Sequence, residues 1–191
     1  MAVLIPILRP RLAGLWLMLA ILLSCGGLNL SAQTSKEYQV KAAFLFNFAQ
    51  FVQWPDTVLT NADMPFCIDV FGADPFGAAL DETVQGETIN GHKIIVRHVE
   101  HITDLKDCQV IFICKSEKSR LKEILSGVNS NAVLTVSEID GFTQDGGDIN
   151  FYLEGNKVRF EINPAAAQHD GLKVSSQLLS LGKVVAGREG K

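Results

Sequence analysis

Three of the four cysteines, the four histidines and one glycine-bearing turn are the groups in this sequence whose types and spacing could do chemistry. Beyond residue 32 the cysteines are Cys67, Cys108 and Cys114. In an oxidising compartment two of an odd set can pair and one is left over. Cys67 lies at the start of FCIDVF and Cys108 opens CQVIFIC, both of strand length. In a doubly wound sheet the third strand commonly returns beside the first, which puts both thiols at one end of the sheet. Cys114 lies six residues along the same strand, roughly 20 Å away at about 3.3 Å per residue. A disulfide needs Cα atoms within about 7 Å, so Cys67–Cys108 is the disulfide candidate. The competing reading is three buried, inert thiols. A bond between adjacent strands would be strained and easily reduced, which opens a redox-sensing role.

The histidines are His92, His98, His101 and His169. The run His98-Val99-Glu100-His101 invites a metal reading, but its spacing matches neither HExxH nor HxxEH. On a strand, His98 and His101 point to opposite faces. A solvated strand end is the better reading, and no metal site is expected. Gly72-Ala73-Asp74-Pro75-Phe76-Gly77 follows a strand and opens a helix, a place where α/β proteins hold anions. It lacks GxGxxG, and Pro75 removes a backbone donor, so it reads as a tight turn at the carboxyl edge of the sheet. No GxSxG nucleophile elbow occurs, and Asp145 and Asp148 around Gly146-Gly147 form no calcium motif. No catalytic residue and no cofactor is assigned; the chain does not read as an enzyme.

The elements that must position these groups alternate. Lys36 to Gln53 predicts a helix with Ser35 as N-cap, ended by Trp54-Pro55. Its apolar stripe of Phe44, Phe48, Phe51 and Val52, widened by Leu45, Phe46 and Ala49, predicts burial on most of its circumference. Strands are predicted at Phe66–Phe71, Lys93–Val99, Cys108–Cys114 and Ala132–Val136, with helices at Phe76–Val84 and Ser119–Val128. That rhythm implies right-handed crossovers and a mostly parallel sheet flanked by helices, a three-layer α/β fold. Ile149–Leu153 and Lys157–Ile162 around Glu154-Gly155-Asn156 predict a C-terminal antiparallel hairpin. Asn163-Pro164 opens a helix, and Val174, Leu178, Leu181 and Val185 predict an amphipathic closing helix.

The first thirty residues address export. Arg9 and Arg11 precede the unbroken apolar run Leu12 to Leu23. A short basic region followed by about a dozen apolar residues is a secretory signal pattern. Spanning a bilayer takes about 20 apolar residues, so a membrane anchor is the weaker reading. Cleavage after Ala32 makes residues 1–32 a signal peptide and 33–191 a single α/β domain in the periplasm. Processing at Cys25 in LLSC, which would attach a lipid there, is the alternative. Loss of Arg9 and Arg11 takes 17 basic and 21 acidic residues to 15 and 21, a net charge of −6. With no basic stripe, nucleic acid is not an expected partner.

Several blocks together resemble a known family. They are VKAAFLFNFAQFVQWP (Val40–Pro55), FGADPFG (Phe71–Gly77) with Leu80 three residues on, and VLTVSEIDGF, GGDINF, VRFEIN and GLKVSSQLLSLGKV between Val133 and Val184. In order and spacing the chain resembles the YfiR-like family of periplasmic repressors. The resemblance implies inhibition of an inner-membrane diguanylate cyclase through its periplasmic domain. It also implies relief by an outer-membrane, peptidoglycan-binding lipoprotein, a homodimer as one assembly state, and tuning by disulfides. No cysteine lies in the loop Gly141–Gly147, so only Cys67 and Cys108 are candidates for a family disulfide here.

Contacts of this kind favour exposed aromatics. Phe142 and Phe151 in the polar C-terminal region are the partner-binding candidates, with ordinary core packing as the competing reading. The rival class is a periplasmic small-molecule receptor using the crevice at Gly72–Gly77.

Overall fold

The computed structural model describes residues 28–61, 63–105, 107–128 and 132–186, with side chains from residue 36 onward. The export signal, its cleavage point and Cys25 lie outside the described residues, apart from the helical backbone that begins at Leu28. The chain falls into two units, residues 1–36 and 37–191. Helix α1 covers Leu28–Phe51, so it begins upstream of the expected Lys36. No described helix is long and apolar enough to cross a membrane.

The second unit is a mixed α/β fold built on an eight-stranded sheet. In chain order its elements are β1 (Val52–Gln53), β2 (Phe66–Phe71), α2 (Ala79–Val84), β3 (Thr88–Ile89), β4 (His92–Val99) and β5 (Val110–Ile113). They continue with α3 (Leu121–Val128), β6 (Leu134–Ser137), β7 (Ile149–Glu154), β8 (Lys157–Ile162), α4 (Pro164–His169), β9 (Lys173–Val174), α5 (Ser176–Leu181) and β10 (Lys183–Val184). The sheet order is β10-β8-β7-β6-β5-β2-β4-β3, with β1 and β9 forming a separate ribbon. β2 runs parallel to β4 and β5, β5 to β6, and β6 to β7, while β7–β8 is the expected antiparallel hairpin.

The central strands are buried along their length because both sheet faces are covered, and they are mostly apolar apart from Asp69, Thr135 and Ser137. Every residue of β2 is buried. Phe66, Ile68 and Val70 enter the core under α1, which contributes Ala42, Leu45 and Phe48; Cys67 and Phe71 enter the opposite core under α3, with Ile124 and Leu125. Helix α2 starts at Ala79 rather than Phe76, because the Asp74 carboxylate accepts the Phe76 and Gly77 amides at 2.8 and 3.1 Å and Gly77 takes φ +55°. The segment before α3 is a 3-10 helix at Lys115–Arg120.

The closing helix is shorter than its pattern predicts. Val174 belongs to β9, opposite Val52, and α5 covers only Ser176–Leu181. The backbone of Gly182 packs on Phe160 so closely that a Cβ would lie 2.5 Å from the ring, and the chain turns there into β10 beside β8. Of the predicted stripe, Leu178 is buried and Leu181 is 62% exposed.

Candidate functional site

Cys67 and Cys108 meet at one buried carboxylate. The β2–β5 register pairs Ile68 with Val110, and one step back the Gln109 amide donates to the Cys67 carbonyl at 3.1 Å. The Cys67 amide in turn donates to Gln109 Oε1 at 2.7 Å. Both cysteines therefore sit at the same end of the sheet, within the core under α3, whereas Cys114 belongs to the core under α1. All three are free thiols, so the Cys67–Cys108 disulfide is not formed in this structure.

The carboxylate is Asp69, fully buried on β2. Cys67 Sγ donates to Asp69 Oδ1 at 3.3 Å, and the charge of the same carboxylate bears on the Cys108 thiol. Across the register, Arg97 of β4 binds Asp69 with both prongs, Nε to Oδ1 at 2.7 Å and Nη2 to Oδ2 at 2.8 Å. A buried charge without such a partner would be strongly disfavoured. Burial, then the negative charge of Asp69, pushes the Cys67 thiol up to about 12, and the same causes raise Cys108. The cluster holds two protonated thiols on one anion. Asp69 escaped the sequence reading, although a lone carboxylate inside the apolar strand FCIDVF is a signal for a buried partner.

Cys108 also faces a cleft of about 790 Å³ at the amino ends of the strands, lined by Met64, Leu105, Gln109, Val133 and Asp170 among others. The sequence reading placed a ligand crevice at the opposite edge, around Gly72–Gly77. There the backbone at Gly72 is packed tightly. A Cβ on Gly72 would meet Ser116 and Glu117 within 2.7 Å, and the Ala73 amide donates to Ser116 Oγ at 3.0 Å.

The carboxyl edge carries instead a latch between α1 and the end of β6. Lys41, 2% exposed, is ion-paired with Glu138 and Glu37, and its ammonium lies 4.5 Å from the centre of the Tyr38 ring. Tyr38 Oη donates to Glu138 at 2.8 Å, and Lys115 approaches the same carboxylate at 3.4 Å. Burial opposes the charge on Glu138, but Lys41, Tyr38 and Lys115 outweigh it and hold its pKa below the usual carboxylate value. This latch escaped the sequence reading; a lysine inside an apolar helical stripe is the signal that could have found it.

The partner-binding candidates are corrected. Phe142 is fully buried, and Phe151 is 2% exposed and stacked 5.5 Å from Phe48. The loop after β6 folds inward because Gly147 lacks a side chain: a Cβ there would lie 2.1 Å from the Phe142 ring. The exposed large apolar residues of the C-terminal region are instead Leu153, Leu181 and Val184.

The histidines are dispersed. His98, half exposed, contacts Asp74 at 3.2 Å, His92 Nδ1 lies 2.7 Å from the Met64 carbonyl, and His169 contacts Asp170 at 3.0 Å. Among the described residues no group of three or more His, Cys, Asp or Glu side chains could hold a metal ion. Asp148 makes no calcium loop. It is fully buried, and its Oδ2 accepts both the amide and the hydroxyl of Thr135 at 2.8 Å. Its Oδ1 has no hydrogen-bond partner among the described residues.

A family model described as YfiR/HmsC-like matches residues 38–183. No curated protein matches the chain.

Proposed function

The chain belongs to the YfiR/HmsC-like family, and from that membership we propose that it is a periplasmic negative regulator of cyclic-di-GMP synthesis. In this reading it binds the periplasmic domain of an inner-membrane diguanylate cyclase and holds the enzyme inactive. An outer-membrane, peptidoglycan-binding lipoprotein relieves the hold by competing for the regulator. The observation that carries the proposal is the family match over residues 38–183, which runs from the Tyr38 latch to the first residue of β10.

Such control is an equilibrium argument. A regulator shifts a two-state enzyme only by binding one state more tightly than the other. A preference of about 2.7 kcal/mol moves the equilibrium roughly hundredfold, within reach of a modest apolar contact. Leu153 at the tip of the β7–β8 hairpin, Leu181 at the end of α5 and Val184 on the edge strand β10 supply the exposed apolar surface for that contact. They replace Phe142 and Phe151 as the proposed contact residues. The Cys67–Cys108 dithiol supplies the redox input, with the disulfide as its oxidised state.

The test is capture from detergent-solubilised membranes with the tagged protein. Recovery of a diguanylate cyclase with the wild-type chain, and its loss with Leu181→Glu, supports the proposal. Recovery of no cyclase by the wild-type chain contradicts it.

The cleft beside Cys108 favours a second reading, a small-molecule receptor whose ligand enters at the amino edge of the sheet. A cleft of about 790 Å³ lies in the size range of small-ligand sites. Native mass spectrometry of protein taken from the periplasm decides it: a co-purified compound supports the receptor, and a bare protein mass speaks against it.

A further inference from the structure

Two thiols beside one carboxylate are not equivalent in access. Both thiols are buried, but Cys108 is among the residues that line the cleft and Cys67 is not. Asp69 sits between the thiols and the guanidinium of Arg97, so any thiolate formed here appears beside an existing carboxylate. The charged and titratable groups around the pair are Asp69 on β2, Arg97 on β4, and Asp107, His169 and Asp170 on the cleft wall. Resting on the redox reading above, we propose that the Asp69–Arg97 pair is a brake on dithiol oxidation, with Cys108 the entry thiol and Cys67 the resolving thiol.

The chemistry is thiol–disulfide exchange with a small-molecule disulfide admitted by the cleft. Cys108 loses its proton to solvent, and its thiolate attacks one sulfur of the incoming disulfide. The S–S bond breaks, and the leaving thiolate takes up a proton. Cys67 loses its proton and attacks the Cys108 sulfur of the mixed disulfide, expelling the second small thiol. Two protein thiols are oxidised to one disulfide, and one external disulfide is reduced to two thiols. Asp69 opposes both deprotonations, because the Cys67 thiol donates its proton to that carboxylate and its negative charge disfavours a thiolate at either cysteine. Arg97 holds Asp69 in place with two hydrogen bonds. Asp69 is thus a positioning residue that sets how readily the pair oxidises, and not a group that reacts.

Replacing Asp69 with Asn removes the charge at nearly constant shape. Thiolate nucleophilicity falls with basicity along a slope of about 0.5, so each tenfold gain in thiolate yields roughly threefold in rate. Reduced protein recovered from the periplasm is exposed to oxidised glutathione from pH 6 to pH 10 and followed by non-reducing peptide mapping. The expected result is Cys67–Cys108 linkage about 3–10 times faster at pH 7 in Asp69→Asn, with the pH profile displaced to lower pH and Cys114 unmodified in both proteins. Cys67→Ser traps glutathione on Cys108, and Cys108→Ser leaves Cys67 unmodified over the same period. In the wild type the rate climbs to pH 10 without a plateau, a measurement that stands even where Asp69→Asn fails to fold. An unchanged profile in Asp69→Asn, a wild-type plateau below pH 9, a first adduct on Cys67, or a parallel rise at Cys114 overturns the brake. Absence of the link in every variant at every pH removes the redox reading as well. A link whose rate ignores Asp69 removes the brake alone.

Discussion

Asp148 makes stability depend on pH in a direction opposite to that of an ordinary paired carboxylate. Its side chain is fully buried, and burial pushes its pKa from 3.8 up to about 7. The two Thr135 donors act against that rise, and the nearby Asp170 carboxylate adds to it. An unfolded-chain aspartate titrates near 3.9, so the folded protein binds the proton more tightly than the unfolded one. The resulting stabilisation is complete below about pH 4, is lost as the pH climbs toward about 7, and is gone above it. The span corresponds to roughly 4 kcal/mol at its upper limit. Asp148→Asn is neutral at every pH, and its carbonyl oxygen can accept both Thr135 bonds. Its amide nitrogen replaces an oxygen without a hydrogen-bond partner, which takes back part of the gain, so the variant should be more stable at pH 8 by about 1–3 kcal/mol. At pH 4.5 the difference should shrink to near zero or reverse. Urea unfolding of both proteins between pH 4.5 and 8 measures this. Parallel profiles, or a variant less stable at pH 8, would refute the assignment of Asp148 as the titrating group.

Three further outcomes follow from packing and charge. Gly147→Ala drives a methyl into the Phe142 ring and should cost roughly 3 kcal/mol, seen as a lowered Tm, with partial recovery in Gly147→Ala/Phe142→Leu. Lys41→Met leaves buried Glu138 with only Tyr38 and the exposed Lys115 as partners and should cost about 2 kcal/mol in urea unfolding, whereas Lys41→Met/Glu138→Gln should recover most of it. Leu181→Glu changes a residue that is 62% exposed, so it should weaken cyclase repression while shifting stability by less than about 0.5 kcal/mol; a large fall in Tm would place Leu181 in the fold instead.

The strand rhythm and hairpin were legible because periodicity reports burial: β5 is a continuous apolar run and β2 is apolar except for Asp69, with both faces covered. The neighbouring placement of Cys67 and Cys108 followed from strand order alone. What sequence could not reveal was the inward turn of the loop after β6. Phe142 sits in a stretch of polar and glycine residues, and only the close approach of Gly147 shows that its ring is core. The closing helix failed for a related reason. Val174, Leu178, Leu181 and Val185 keep helical spacing, but Val174 pairs with Val52 and Gly182 must meet Phe160, so two short strands interrupt the pattern. Asp69, Lys41 and Glu138 are polar residues in or beside apolar runs, a signal the sequence reading did not draw on. Their partners were not legible, because each pair is brought together across the sheet by tertiary contacts.

Cellular cyclic-di-GMP in a clean deletion strain tests the central claim most directly. Mass-spectrometric quantification should find the nucleotide raised above the parent strain and restored by the exported wild-type chain, but not by the chain lacking residues 1–32. Unchanged cyclic-di-GMP after deletion, under both oxidising and reducing growth conditions, would contradict the account.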